Sequence, residues 1–247
     1  MMSARIPLVV ATLSILLLSA CTGTPEVREA AEVSSLDAQL PDTTETMPLD
    51  PNLPVILAYG DSLTAGHNVE RDRSYPAQLQ DRLRALGYGY QVVNHGNSGD
   101  TTAGGIARLE GALAVNPEIV VLAFGGNDGL QGRPIESMRG NLEAMINAFK
   151  NIDSQIVLAG ITLPRNYGPD YIRDFENVYV ELAEEHEVAL IPFFLEGLVD
   201  LELLDAPDAT LAESVRYMQS DGTHPTGEGY TIVAETVLDA ISPYLSK

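Results

Sequence analysis

The chain predicts an α/β domain built on a five-stranded parallel sheet with helices on both faces. Two observations carry that expectation. Five short aliphatic runs, each bounded by Gly, Asn or Pro, recur between Val55 and the C-terminus, and segments of helical periodicity separate them. A strand covered on both faces reads as a near-continuous apolar run, whereas a core-facing helix repeats its apolar positions every three to four residues. Alternation of the two is what β-α units produce.

The expected strands are Val55–Tyr59, Tyr90–Asn94, Ile119–Phe124, Gln155–Ala159 and Val188–Pro192. Helical patterns span Tyr75–Leu86, Thr102–Ala114, Ile135–Asn151 and Asp170–Glu185, with a last one from about Gly227 to Leu245. In the third, Met138, Leu142, Met145, Ile146 and Phe149 fall on one stripe at spacings of three and four. These elements define a domain over residues 53–247. No internal repeat interrupts it.

The segment before that domain has a different composition. Arg5 precedes the apolar run Ile6–Leu18, and Ser19-Ala20 then lead into Cys21. A bilayer span needs roughly 20 apolar residues, so this shorter run reads as a secretory signal over residues 1–20. Leu18-Ser19-Ala20-Cys21 also resembles the lipobox of bacterial lipoproteins. That likeness implies a lipidated Cys21 and a protein tethered to the bacterial cell envelope. By resemblance to Gram-negative lipoproteins, Thr22, a non-acidic residue after the cysteine, implies the outer membrane and its periplasmic face. The alternative is a plain secretory signal with an incidental cysteine. Residues 21–52 then read as a tether, rich in Glu, Asp, Thr, Pro and Ala and too poor in apolar residues to offset its ordering entropy.

Charge and cysteine content narrow the function classes. With 35 acidic against 14 basic residues the net charge is -21, which repels nucleic-acid backbones and anionic lipid surfaces alike. Cys21 is the only cysteine, so neither an intramolecular disulfide nor a cysteine-based metal cluster can form.

In open parallel sheets, ligands bind outside the carboxyl ends of the strands. Ser62, Gly99 and Asn127 all follow closely on the ends of the first three expected strands. Asp221 and His224 occupy the loop before the last helix. The set supplies a nucleophile, a base, an orienting carboxylate and oxyanion donors. A serine hydroxyl needs a base to remove its proton, and an imidazole titrating near pH 6.5 is suited to that task. Asp221 can accept the Nδ1 proton of His224 and leave Nε2 facing Ser62. Glycine at position 99 lets a substrate oxygen approach a backbone N–H, while Asn127 offers a side-chain amide. The chemistry these residues suit is ester hydrolysis, without cofactor or metal.

Other readings of the same residues are weaker. Gly60-Asp61-Ser62 alone could be a structural turn or a phosphate cradle. A P-loop would need a Gly-Lys-Ser/Thr ending, and the only lysines are Lys150 and Lys247. Thr64 replaces the second glycine of a Gly-x-Ser-x-Gly elbow. His67, His95 and His186 read as surface or satisfied polar residues, with His95 nearest the expected site. Asp61, Asp100 and Asp128 read as loop hydrogen-bonders rather than metal ligands.

Gly60-Asp61-Ser62-Leu63, with Gly99, Asn127 and Asp221-x-x-His224, resembles the SGNH (GDSL) hydrolase family, and most of all its bacterial thioesterase, lysophospholipase and arylesterase branch. Val92-Val93-Asn94, Gly125–Leu130, Leu163–Gly168 and Pro192-Phe193-Phe194 extend the likeness over about residues 53–247. The resemblance implies a flavodoxin-like three-layer α/β/α sandwich. It makes Ser62, Asp221 and His224 the catalytic residues, and Ser62, Gly99 and Asn127 the oxyanion hole. It places Gly129, Leu130, Leu163 and Pro164 on substrate loops, of which Gly129–Pro134 moves in relatives, and marks Asp200–Glu213 as an insertion. Implied substrates are small acyl esters, aryl esters, thioesters or lysophospholipids. A carbohydrate O-deacetylase and a non-catalytic lipid- or glycan-binding lipoprotein are the alternatives.

Overall fold

The computed structural model describes residues 49–198 and 216–247. The signal, Cys21, nearly all of the tether and the Asp200–Glu213 insertion lie outside the described residues. From Asp50 the chain is tied to the domain: the Asp50 N–H donates to Gln91 Oε1 at 3.0 Å, and Gln91 Nε2 donates to the Asp50 carbonyl at 2.8 Å.

The five expected strands form one sheet in the order β2-β1-β3-β4-β5. They are β1 (Val55–Gly60), β2 (Gln91–Gly96), β3 (Ile119–Ala123), β4 (Gln155–Ala159) and β5 (Ala189–Ile191), and every pairing is parallel. Central β1 and β3 are buried along their whole length, as their aliphatic runs predict. β2 departs from the expectation of cover on both faces, since most of it is only half-buried. It lies at the sheet edge, where only β1 pairs with it, and Gln80 Oε1 accepts from the Val92 N–H at 2.8 Å in place of a strand.

Eight α-helices occur among the described residues: α1 (Ser62–Ala65), α2 (Tyr75–Ala85), α3 (Thr102–Ala107), α4 (Leu109–Leu113), α5 (Gly126–Leu130), α6 (Ile135–Lys150), α7 (Pro169–His186) and α8 (Gly227–Ile241). α2 and α8 pack on each other, while α6 packs on α3, α4 and α7. The sheet is thus flanked by two helical layers. The expected stripe of α6 is wholly buried, and Phe149 meets Tyr59 edge-on at 5.8 Å. Burying each such side chain stabilises the fold by roughly 1.5–3 kcal/mol. The pattern over 102–114 is not one helix. It breaks at Arg108 (φ -115°, ψ 14°), whose side chain reaches away to other loops. The last helix stops at Ile241 and tightens into a 3-10 turn, Ser242–Tyr244, around Pro243.

The turn from β1 into α1 sets the position of Ser62. Gly60 has no room for a side chain: a Cβ there would lie 2.1 Å from Thr64 Oγ1 and 2.6 Å from the Ala123 carbonyl oxygen. Asp61 caps the helix, accepting from the Leu63 N–H at 3.0 Å, and Ser62 becomes its first residue. Gly66, left-handed at φ 84°, ends the helix after a single turn.

Capping is achieved at an electrostatic cost. Asp61 is only 4% exposed. Burial pushes its carboxyl up from 3.8 to about 7; the Leu63 N–H opposes the rise, and the charges of Asp100 and Asp128 add to it. A folded-state value above the unfolded one means that the folded chain binds the extra proton between about pH 4 and pH 7. Stability therefore falls as pH rises through that window. Asp61→Asn keeps an oxygen for the Leu63 N–H and removes the ionisation. Measured by thermal melts, its stability relative to wild type should improve from pH 5 to pH 8, by on the order of a few kcal/mol. An offset independent of pH would show that Asp61 ionises alike in folded and unfolded chains.

Candidate active site

Ser62 at the end of β1 and His224 before α8 are 162 residues apart, and their Oγ and Nε2 atoms lie 2.8 Å apart. On the far side of the ring, Nδ1 is 2.8 Å from Asp221 Oδ2. An ionised carboxylate can only accept, so Nδ1–H donates to Asp221 and the neutral ring presents its Nε2 lone pair to the Ser62 hydroxyl. The other oxygen of Asp221 accepts from the backbone N–H groups of Thr223 at 2.9 Å and His224 at 3.0 Å. Partial burial pushes the Asp221 carboxyl up, but these two N–H groups and the His224 ring outweigh it and hold the group down at about 2. It is ionised across the neutral range.

The loop carrying the pair is closed like a hairpin. The Gln219 N–H donates to the His224 carbonyl at 2.7 Å, Thr226 N–H to the Tyr217 carbonyl at 2.7 Å, and Gly222 turns the chain at φ 67°. Gln219 also joins the loop to the Ser62 side, because its Nε2 donates to the His67 and Pro225 carbonyls, each at 2.8 Å. The His67 ring packs against His224 with centroids 4.5 Å apart. Beneath them the Tyr230 hydroxyl of α8 donates to the Ser62 carbonyl at 3.4 Å.

The loops after β2 and β3 join the same edge. Gly99 lies in the turn Asn97–Asp100, closed by the Asp100 N–H on the Asn97 carbonyl at 3.2 Å, and its φ of 87° suits glycine. Asn127 Nδ2 donates to the Asp100 carbonyl at 2.8 Å, which couples the two loops. The acidic residues between them are satisfied locally. Asp128 accepts from the Thr102 N–H at 2.8 Å and hydroxyl at 2.7 Å, and Asp100 accepts from Arg108 Nε at 2.6 Å and Asn97 Nδ2 at 2.7 Å.

A cavity of about 550 Å³ opens beside Ser62, Asn127 and His224. Its walls include Leu63, Leu130, Ile161, Leu163, Pro164, Phe193 and Met218. Apolar walls around a few polar atoms are what a small-ligand site requires. Of the residues expected on substrate loops, Leu130, Leu163 and Pro164 line this cavity. Gly129 sits behind this wall, where a Cβ would come within 2.6 Å of Leu163 Cδ2. Gly99 is exposed in its turn and is not part of the cavity lining.

Two residues of this arrangement, Arg108 and Gln219, carried no expectation from sequence, and a third, His67, was given another role. Arg108 ties together the loops around the site, and the signal for it was a lone basic residue in a stretch of small and apolar ones. Gln219 had no signal. His67 was read as a surface or satisfied polar residue, yet its ring contacts that of His224. His95 holds its place through its backbone carbonyl, which accepts from Arg108 at 2.7 Å, while burial and then Arg108 lower the pKa of its ring. His186 lies away from the site beside Glu143 and Glu185, a group that Arg139 crosses with ion pairs to both carboxylates.

Comparison with known proteins bears on the family of the chain. The model of the GDSL-like lipase/acylhydrolase family matches residues 58–232. Esterase TesA of Pseudomonas aeruginosa is 39% identical over 191 residues, covering 77% of this chain and 89% of the relative. The thioesterase 1/protease 1/lysophospholipase L1 of Escherichia coli K12 is 33% identical over 192 residues, covering 77% of this chain and 85% of that protein. Among solved structures, the psychrotrophic esterase EstA from Pseudoalteromonas sp., inhibited by monoethylphosphonate, superposes with a TM-score of 0.68 at 27% identity, covering 77% of this chain and 97% of that one. A parallel five-stranded sheet, a serine presented at the end of β1 and a match over most of the described domain lead to one assignment: the chain belongs to the GDSL-like (SGNH) family of lipases and acylhydrolases and is a carboxylic ester hydrolase.

Proposed function

We propose that the protein cleaves acyl esters through an acyl-enzyme on Ser62, with His224 as general base and acid and Asp221 as its orienting carboxylate. The 2.8 Å approach of His224 Nε2 to Ser62 Oγ carries this reading. As Oγ attacks the acyl carbonyl, the Ser62 proton passes to Nε2 and the imidazolium is stabilised by Asp221. The carbonyl oxygen takes up the negative charge against the backbone N–H groups of Ser62 and Gly99 and the Asn127 amide. His224 then returns the proton to the leaving alcohol, thiol or phenol. A water molecule, deprotonated by the same nitrogen, attacks the acyl-enzyme and frees the acid.

The apolar cavity supports an acyl chain of more than two carbons as the bound group, which favours lipolytic, aryl-ester or thioester substrates over an acetylated sugar. The names of the relatives, esterase and thioesterase/lysophospholipase, support the same range. The N-terminal sequence supports a lipid anchor on Cys21 and action on small acyl esters or lysophospholipids at the cell envelope, most simply the periplasmic face of the outer membrane.

With p-nitrophenyl esters, Ser62→Ala and His224→Ala should each lower kcat on the order of 10⁴–10⁶-fold, and the double variant should lie little below either one. Asn127→Ala should cost about 10²–10³-fold. Independent, multiplying losses for Ser62 and His224 would sink the shared mechanism, and activity confined to acetate would favour the deacetylase. For the anchor, the intact mass of protein purified from membranes should correspond to a chain beginning at an acylated Cys21. A mature chain starting elsewhere or carrying no lipid would refute it.

A further inference from the structure

Arg108 stands where the predicted helix breaks, and its side chain is 27% exposed. Each of its nitrogens has a different partner. Nε donates to Asp100 Oδ2 at 2.6 Å, Nη1 to the His95 carbonyl at 2.7 Å and Nη2 to the Gly60 carbonyl at 2.7 Å. The guanidinium lies 4.6 Å above the Tyr59 ring and 5.4 Å from that of Phe124. Its plane is therefore fixed by core aromatics of β1 and of the residue following β3.

Those three partners surround the proposed oxyanion donors. Gly60 lies two residues before Ser62, and its carbonyl also accepts from the Asn97 N–H at 3.1 Å. Asp100 follows Gly99 directly. Its carboxylate accepts from Asn97 Nδ2 at 2.7 Å, and its carbonyl holds Asn127 Nδ2 at 2.8 Å. His95 is the penultimate residue of the second strand, two positions before that turn. All three donors are thus attached to an Arg108 partner by one or two residues or by one hydrogen bond.

We propose that Arg108 is the positioning residue of the oxyanion hole, its guanidinium locking the loops after β1, β2 and β3 in the mutual geometry that the tetrahedral intermediate requires. The proposal rests on the acyl-enzyme reading above. The three bonds leave from three separate nitrogens of one rigid plane, whereas a lysine ammonium offers its three N–H groups from a single atom and cannot span these acceptors, so lysine cannot replace it. The guanidinium has a second effect. It neutralises the Asp100 carboxylate, whose unpaired charge beside Gly99 would oppose the negative charge developing on the substrate oxygen.

The test compares wild type, Arg108→Lys, Arg108→Ala, Asn127→Ala and the Arg108→Lys/Asn127→Ala double variant on p-nitrophenyl butyrate. Arg108→Lys should lower kcat about 10²–10³-fold, as loss of an oxyanion donor does, with KM changed by less than about threefold. Affinity for a trifluoromethyl ketone, which forms the tetrahedral oxyanion, should fall by the same factor as kcat. Adding Asn127→Ala to Arg108→Lys should cost less than about tenfold more, because the donor is already misplaced. Thermal melts accompany each variant; if Arg108→Ala does not fold, the charge-preserving lysine variant decides. A folded Arg108→Lys with wild-type kcat, a loss confined to KM, or an undiminished Asn127→Ala penalty in its background overturns the proposal. Labelling of wild-type Ser62 by an organophosphonate separates the two levels. Failure to label removes the acyl-enzyme reading and Arg108 with it, whereas labelling alongside an active Arg108→Lys removes the Arg108 proposal alone.

Discussion

The hydrogen bond between Ser62 and His224 joins the first strand of the domain to the loop before its last helix, so it exists only if distant parts of the chain are held in register. A parallel sheet fixes one side. β1 lies between β2 and β3, and its end cannot move without breaking two ladders. α8 fixes the other through its packing on α2, where Gln78 accepts from the Thr231 hydroxyl at 2.6 Å and donates to the Gly227 carbonyl at 3.0 Å. Gln219 then closes the remaining gap between the His224 loop and His67. The short Asp-x-x-His spacing makes this economical. Positioning one loop positions both His224 and the Asp221 carboxylate bonded to its ring.

The proposed mechanism sets an acidic chain the task of stabilising a developing anion, which is an electrostatic conflict. Asp61, Asp100, Asp128 and Asp221 all lie on the edge where that anion would form. Each is handled differently. Asp221 spends its charge on His224 and two backbone N–H groups, Asp128 on Thr102, and Asp100 on Arg108 and Asn97. Asp61 has no cationic partner among the described residues and takes up a proton more readily instead, with a value near neutrality. Cations are scarce in this chain, with 14 basic residues against 35 acidic ones. Arg108 is therefore an uncommon resource, placed at the edge where the proposed mechanism calls for positive potential.

The sheet and the larger helices were legible because burial imposes a period. β1, β3 and β4 are aliphatic because core lies on both faces, and α6 repeats its stripe because one face meets the core. The site residues were legible because their chemistry is rare at such spacings: a serine after a strand, an Asp-x-x-His, a Gly-Gly-Asn-Asp. What escaped the sequence depends on tertiary partners. The edge position of β2 follows from strand order, which no local pattern encodes. The break between α3 and α4 follows from where Arg108 finds its acceptors, and propensity alone would have continued the helix. α1 and α5 are single turns, too short for any periodicity to register. The His67 contact requires the base to arrive from 157 positions away in the chain, as the numbering of the two rings makes plain.

The division of labour between loops explains how one chemistry comes to serve several substrates. The proposed nucleophile, oxyanion donors and base come from the segments after β1, β2 and β3 and from the loop before α8, all cross-linked by hydrogen bonds. The walls of the cavity come largely from other places: Ile161–Pro164 after β4, Phe193 and Leu195 after β5, and Met218 ahead of the His224 turn. These contribute apolar surface rather than hydrogen bonds to the reacting atoms. A change there alters the size and shape of the acyl site without disturbing the Ser62–His224 distance. Relatives named as esterase, arylesterase and thioesterase/lysophospholipase, all between 33% and 39% identical to this chain, fit that separation. Selection can act on the β4 and β5 loops for substrate while the first three strand ends remain fixed by the geometry of attack.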